Sequence, residues 1–137
     1  MLNKKKNLVK NFLIPLSKVP VCQKKTLLKV ALEKMSKNKI GVCICTNEKG
    51  KLIGILTDGD VRRKILSEQK PFSALLNDDL SIHLNYKPFK VNPSKSIFYA
   101  LKIMKKHSIW DLPVVNNSGI LIGICHMQNI VKKILKK

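Results

Sequence analysis

Leu52-Ile53-Gly54-Ile55 occurs a second time in this chain, letter for letter, as Leu121-Ile122-Gly123-Ile124. The two copies lie about 69 residues apart, and around them the halves of the sequence align without a gap. The other matches are Ala31 with Ala100, Leu32 with Leu101, Met35 with Met104, Ile40 with Ile109, Asn47 with Asn116, Gly50 with Gly119, and Lys64-Ile65-Leu66 with Lys133-Ile134-Leu135. So many matches in one register indicate an internal duplication.

Both halves predict the same series of elements: an extended entry, a helix, a two-stranded hairpin and a closing helix. In the first half we place them at residues 19–21, 27–35, 41–46, 52–56 and 58–66. In the second half we place them at residues 88–91, 97–104, 112–115, 121–125 and 127–135. Thr26 is the expected cap of the first helix, and Ser94 or Ser96 that of its counterpart. Asn and Gly in the turns 47–50 and 116–119 favour tight hairpins.

The fold class that follows is mixed α/β (α+β), a tandem of two β-α-β-β-α motifs. One motif alone would leave an apolar sheet face exposed, so we expect the two to pack about a pseudo-twofold axis. The predicted boundaries are a basic N-terminal lead-in at 1–14, a first motif at 15–68, a connector at 69–87 and a second motif at 88–137. Residues 71–76 of the connector predict a short helix.

The charge balance favours an anionic partner. Lysine and arginine number 27 against 8 acidic residues, which gives a net charge of +19 and a pI near 10.1. Nucleic acid, nucleotide phosphates and membrane surfaces all fit this charge. Solvated lysines on exposed helix faces are the plainer explanation. Because no aromatic residues are interleaved with the basic ones, specific nucleic-acid binding is the weaker interpretation.

Several classes of protein are disfavoured. No apolar run approaches the roughly 18 residues of a membrane span, and we expect a cytoplasmic protein. Cys22, Cys43, Cys45 and Cys125 lack zinc-ligand spacing and are interpreted as buried thiols. The three histidines lie in unrelated contexts, with no nucleophile and base paired, so we expect no enzyme activity.

Two stretches resemble the CBS motif, named after cystathionine β-synthase. They are Gly54-Ile55-Leu56-Thr57-Asp58-Gly59-Asp60-Val61-Arg62-Arg63, and Asp111 to Asn116 followed by Gly119 to Ile124. The first is also similar to the C-terminal regulatory tandem of arabinose-5-phosphate-isomerase-type sugar isomerases and of some sugar nucleotidyltransferases. The chain leaves no room for either catalytic domain, so we expect a free-standing regulator or a fragment.

The resemblance implies a nucleotide site in the first motif. There the Asp60 carboxylate would accept hydrogen bonds from the ribose hydroxyls, and the Thr57 hydroxyl would face the phosphate. By family position, Val42, Cys43, Val19 and Val21 would form the walls for the base. Asp58 is included among the site residues. Arg62, or its neighbour Arg63, could bind the phosphate in a bidentate manner, but one of them could equally pair with Asp58 and the other face solvent. The expected ligand is AMP, ADP or ATP, and no cofactor is required.

Two observations qualify this site. Thr-x-x-Asp before a helix is also close to a capping box, which stabilises a helix by about 1 kcal/mol without any ligand. The second motif carries His126 and Asn129 where the first has Thr57 and Asp60. We therefore expect a weaker second site, formed by His126, Asn129, Pro113 and Val114.

Three functions remain open. The first is a regulatory module that senses an adenosyl ligand, with a homodimer and a catalytic protein of sugar-phosphate or sugar-nucleotide metabolism as expected partners. The second is a ligand-free dimerisation module of such an enzyme. The third is a basic protein that binds nucleic acid.

Overall fold

The computed structural model describes residues 7–136. Its strands are β1 Ile14–Pro15, β2 Val21–Cys22, β3 Val42–Thr46, β4 Leu52–Thr57, β5 Asp111–Val115 and β6 Leu121–His126. Its α-helices are α1 Leu28–Asn38, α2 Asp58–Glu68, α3 Phe72–Leu76, α4 Ile97–His107 and α5 Met127–Leu135. Short 3-10 turns lie at Val9–Asn11, Leu16–Lys18 and Leu80–Ile82. In this part of the chain no helix is both long and apolar enough to cross a bilayer.

The described chain divides into two compact units. The first unit is residues 19–88, and the second unit is residues 7–18 together with 89–136. The sheet of the first unit has the order β2-β3-β4, with β2 parallel and β4 antiparallel to β3. The sheet of the second unit has the order β1-β6-β5, with both pairs antiparallel. These two α+β units confirm the predicted fold class and the short helix of the connector.

The described part of the lead-in is an integral piece of the second unit. Val9 and Phe12 are buried in the core of that unit, and β1 pairs with β6 through Ile14 and Ile124. The structure thus groups residues 7–18 with residues 89–136, whereas the predicted boundaries set residues 1–14 apart and began the first motif at residue 15. This segment was characterised from the sequence by lysines 4–6, which lie outside the described residues. The apolar residues that follow, which pack in the core of the second unit, were therefore overlooked.

The connector is the counterpart of this lead-in. Each segment makes the same backbone contacts with its own unit. In the lead-in, Val9 N donates to Lys95 O (2.8 Å), Leu8 bridges to Ser96, and Ile14 pairs with Ile124. The corresponding contacts of the connector are Leu80 N to Thr26 O (2.7 Å), the bridge from Asp79 to Leu27, and the bridge from Asn85 to Ile55. The duplication therefore extends into segments whose side chains differ. Sequence comparison missed it because backbone pairing places little constraint on side-chain identity.

The first helix of each unit buries one face against its sheet. Leu28, Ala31 and Met35 are buried on α1, and Ile97, Ala100 and Met104 on α4. Ser96 caps α4 as predicted, since its Oγ accepts from Phe98 N at 3.1 Å. The predicted Thr26 cap was wrong. Leu27 occupies the N-cap of α1 without a side-chain bond, and Thr26 Oγ1 instead accepts from Gln23 N at 3.1 Å.

Candidate functional site

Thr57 and Asp60 form a closed capping box at the start of α2. Thr57 Oγ1 accepts from the Asp60 backbone N at 3.1 Å, and Asp60 Oδ2 accepts from the Thr57 backbone N at 3.0 Å. Strand β4 ends at Thr57 and α2 begins at the next residue. The box thus holds the Asp60 carboxylate at the positive end of the helix dipole, where negative charge is favoured.

An arginine completes the surroundings of Asp60. Arg63 Nη2 donates to Asp60 Oδ1 at 2.8 Å, and the Asp60 side chain is 28% exposed. Partial burial raises the pKa of this carboxyl, but hydrogen bonds from Arg63 and Thr57 outweigh that effect and leave the pKa below its usual value. Asp60 is therefore an ionised acceptor. Arg62 and Arg63 were both considered as phosphate ligands, and both are exposed. Arg63 is the one that contacts Asp60, as the i,i+3 spacing favours.

Asp58 lies at the other side of the helix start. Its backbone N donates to Gly41 O at 3.0 Å, and a Cβ at Gly41 would meet Asp58 Oδ2 at 2.7 Å. The glycine ahead of β3 thus leaves room for the Asp58 carboxylate. The side chain of Asp58 is exposed, consistent with a position at the rim of a site.

The residues predicted to form the walls for the base do not all lie on the same face of the sheet of the first unit. Val42 and Cys43 are neighbours on β3, and their side chains point to opposite faces. Cys43 belongs to the core that packs under α1, so it does not share a wall with Val42. Val19 is buried and Val21 is partly buried in the entry segment. Among these four, Cys43 is the one that the structure removes from the candidate wall.

A cavity of about 260 Å³ lies along α2 beside Asp60. The residues that line it are Asp60, Arg63, Lys64, Ser67, His83, Leu84 and Asn85. His83 is buried, and its Nε2 lies 2.9 Å from Asp78 Oδ2. Hydrogen bonds from Lys70 and then His83 hold the pKa of Asp78 below its usual value. His83 was not predicted to lie beside Asp60, because the connector was not recognised as part of the motif.

The equivalent positions of the second unit are used differently. His126 Nδ1 lies 2.6 Å from Asp111 Oδ1, a cross-strand contact between β6 and β5. Asn129 Nδ2 donates to Phe12 O at 3.0 Å. Helix α5 has no side-chain cap at its N-terminus. Pro113 and Val114 are buried on β5. Both polar side chains of the proposed weaker site are thus engaged within their own unit.

A second groove lies at the hairpin end of the first unit. It encloses about 550 Å³ and is lined by Gln23, Lys24, Lys25, Thr46, Asn47, Glu48, Lys49, Lys51 and Ile53. Four of these nine residues are lysines. The groove lies at the far end of β3 and β4 from Thr57, because the turn at residues 47–50 joins the strands there. It is therefore distinct from the candidate nucleotide site.

The described residues contain no cluster of His, Cys, Asp and Glu that could hold a metal ion. The four cysteines are free and buried, as predicted.

Comparison with known proteins supports the resemblance. A sequence model of the CBS domain matches the chain twice, at residues 9–67 and at residues 79–136. An uncharacterized protein of Helicobacter pylori strain J99 is 31% identical over 130 residues, which cover 90% of this chain and 36% of that protein. A CBS domain-containing protein of Dictyostelium discoideum is 28% identical over 120 residues, 81% of each chain. The chain spans little more than a third of the length of the first relatives, since the match covers 36% of each of the two Helicobacter pylori proteins.

Solved structures agree on the fold. CBSX2, a CBS-pair protein from Arabidopsis thaliana, superposes in its complex with AMP at a TM-score of 0.82, with 25% identity and coverage of 94% of this chain and 96% of that chain. A CBS domain pair in complex with 5-methylthioadenosine and S-adenosyl-L-methionine superposes at 0.79, with 21% identity and coverage of 95% and 98%. With two family matches that together span most of its length, this chain belongs to the CBS-domain family and contains a pair of CBS domains.

Proposed function

We propose that this chain is a non-catalytic regulatory module that binds an adenosine nucleotide at the start of α2. The observation that carries the proposal is the Asp60 carboxylate, held ionised and 28% exposed at a helix N-terminus. A carboxylate offers about four lone-pair positions. Thr57 N and Arg63 take one each, so positions remain for the vicinal hydroxyls of a ribose.

The surroundings supply the other requirements of a nucleotide. The α2 N-terminus favours a phosphate, and Arg63 and Lys64 border the cavity beside Asp60. Val21 is partly exposed and offers apolar surface for a base, whereas Val19 and Val42 are buried. AMP, ADP and ATP share the adenosine group that AMP-bound CBSX2 holds, and they are the ligands that we expect.

The proposal assigns one competent site to the pair. In the second unit the Asn129 amide already donates to Phe12 O, and Asp111 engages His126.

A regulator needs a ligand that discriminates between two states of the protein. We infer that the bound nucleotide changes the geometry that a partner reads. The expected partners are a second copy of the chain and a catalytic protein of sugar-phosphate or sugar-nucleotide metabolism.

The test is a titration of AMP, ADP and ATP against thermal unfolding, with calorimetry for the affinity. At about 100 times its dissociation constant, a ligand adds about 2.7 kcal/mol to the free energy of unfolding. We expect Asp60→Ala to lower the affinity at least tenfold. Ser96→Ala is the matched control, because it removes an N-cap worth about 1 kcal/mol from α4 and leaves Asp60 intact.

An unchanged midpoint with all three nucleotides would contradict the proposal, and so would an Asp60→Ala variant that keeps the full shift. A dimer that forms with rising concentration and shows no nucleotide response would favour the ligand-free dimerisation module.

The lysine groove favours polyanion binding as a second candidate function. Lys24, Lys25, Lys49 and Lys51 line it in the first unit. The corresponding residues of the second unit are Pro93, Ser94, Ser118 and Ile120. These four lysines therefore have no lysine at the aligned positions of the second unit, and a uniformly solvated surface does not explain that difference.

We expect single-stranded RNA to bind weakly at 50 mM salt, with affinity falling as salt rises. Replacing the four groove lysines by serine should reduce the slope of log K against log salt by up to about 0.7 per lost contact. The control replaces Lys102, Lys105, Lys106 and Lys132, which lie on helices of the second unit. Equal losses in both variants would show that net charge alone is responsible.

A further inference from the structure

Two cysteines of the first unit lie in direct contact. Cys22 is on the edge strand β2 and Cys43 is on β3, and the parallel register pairs Cys22 with Cys45. Because Cys43 and Cys45 are two residues apart, all three side chains point to the same face. The Sγ atoms of Cys22 and Cys43 are 2.8 Å apart. A disulfide requires about 2.05 Å, so the sulfurs need to approach by less than an ångström.

The contact distinguishes the two thiols chemically. Cys43 donates its hydrogen bond to the Cys22 sulfur and so lowers the pKa of Cys22; burial opposes this, and the charge of Lys34 adds to it. The same hydrogen bond, together with burial, raises the pKa of Cys43. Lys34 is held nearby, since its Nζ donates to Val21 O at 3.1 Å. Cys22 is therefore the better nucleophile, and Cys43 keeps its proton.

The other two cysteines lack such an arrangement. Burial raises the pKa of Cys45 to about 11 and that of Cys125 to about 12. The hydrogen-bond partner of Cys45 is a carbonyl, Thr46 O, at 4.0 Å. These thiols behave as small apolar side chains in the two cores.

Packing alone does not require sulfur at the two contacting positions. The second unit has Val91 where the first has Cys22, and Leu112 where the first has Cys43. Both aliphatic residues are buried in the core of the second unit. The same fold therefore accepts aliphatic side chains here, and the contacting pair of thiols calls for another explanation.

We propose that Cys22 and Cys43 form a reversible intramolecular disulfide when the protein meets a peroxide. The Cys22 thiolate attacks one peroxide oxygen, the O–O bond breaks, and Cys22 becomes a sulfenic acid. The Cys43 thiol then attacks the Cys22 sulfur and gives up its proton, and hydroxide leaves as water. In sum, two thiols and one hydrogen peroxide give one disulfide and two waters.

The bond would close a loop that contains all of α1 and would join β2 to β3. Val21 and Val42 are the immediate neighbours of the bonded residues on these strands. Oxidation thus fixes the spacing between two strands that carry candidate walls of the nucleotide site. The disulfide itself does not depend on nucleotide binding.

The test treats the reduced protein with hydrogen peroxide and then counts thiols after denaturation. The count should fall from four to two, with a mass loss of two hydrogens and a cross-linked peptide that joins Cys22 to Cys43. Dithiothreitol should restore all four thiols. The thermal midpoint should rise by about 5–10 °C on oxidation, because the closed loop loses entropy in the unfolded chain.

Substitutions taken from the sister unit provide matched variants. Cys22→Val with Cys43→Leu should keep its two remaining thiols in peroxide. Cys45→Val with Cys125→Leu should lose both of its remaining thiols. Four free thiols in the treated wild-type protein would overturn the proposal, as would a bridge to a different cysteine. Both of these contradicting outcomes are measured on the wild-type protein, so the test remains valid even where a variant folds poorly.

Discussion

Gly123→Ala is expected to lower the free energy of unfolding by about 3 kcal/mol or more. A Cβ at this position would collide with the carbonyl oxygen of Ile14 and would lie 2.9 Å from Leu13 Cδ1. Ile14 belongs to β1, which pairs with β6 beside Gly123. The obstacle is backbone, so relief requires β1 to move away and lose its pairing. Chemical denaturation of the variant and the wild-type protein measures the loss.

The sister repeat and a turn glycine provide the comparisons. Gly54→Ala should cost a similar amount in the first unit, because its Cβ would lie 2.6 Å from Asn85 O. Gly119→Ala should cost only about 1 kcal/mol, since nothing lies within 4 Å and the penalty is that of its φ of +80°. If Gly123→Ala costs no more than Gly119→Ala, the close approach of β1 is not what requires the glycine.

These glycines show which parts of the fold could be predicted from the sequence and which could not. Local patterns predicted the hairpins, the central helices and the capping box, because each depends on residues a few positions apart. The repeated Leu-Ile-Gly-Ile block located the strands but not the purpose of its glycine. That purpose depends on Ile14 and Asn85, which approach from segments outside the aligned repeat. Long-range backbone pairing leaves no pattern in a single sequence.

The candidate site was predictable to the same extent. Thr57 and Asp60 were found because their spacing is local and the family motif contains them. Cys43 was assigned to a wall with Val42 although alternation along a strand separates them. His83 was missed because only the fold of the connector brings it beside Asp60. Residues supplied by distant segments are those that sequence reasoning fails to place.

The Asp111–His126 contact gives the second large expected effect. The register pairs these residues across β5 and β6, where the first unit pairs Val42 with Thr57. The Asp111 side chain is 6% exposed and that of His126 is 21% exposed. His126→Thr removes the 2.6 Å contact and with it one hydrogen-bond partner of the buried Asp111 carboxylate. We expect a loss of about 3 kcal/mol in the free energy of unfolding, because losing a hydrogen bond to a buried charged group is costly.

The matched rescue replaces the partner as well. Adding Asp111→Val to His126→Thr reproduces the Val–Thr pair that the first unit carries at the same register. This removes the buried carboxylate, and we expect about 2 kcal/mol to be recovered. A double-mutant cycle with Asp111→Val alone isolates the coupling between the two side chains. Additive losses would mean that the cross-strand contact contributes nothing to stability. A coupling of about 2 kcal/mol would show that the second unit uses these two positions, which correspond to Val42 and Thr57 of the candidate site, for a stabilising contact.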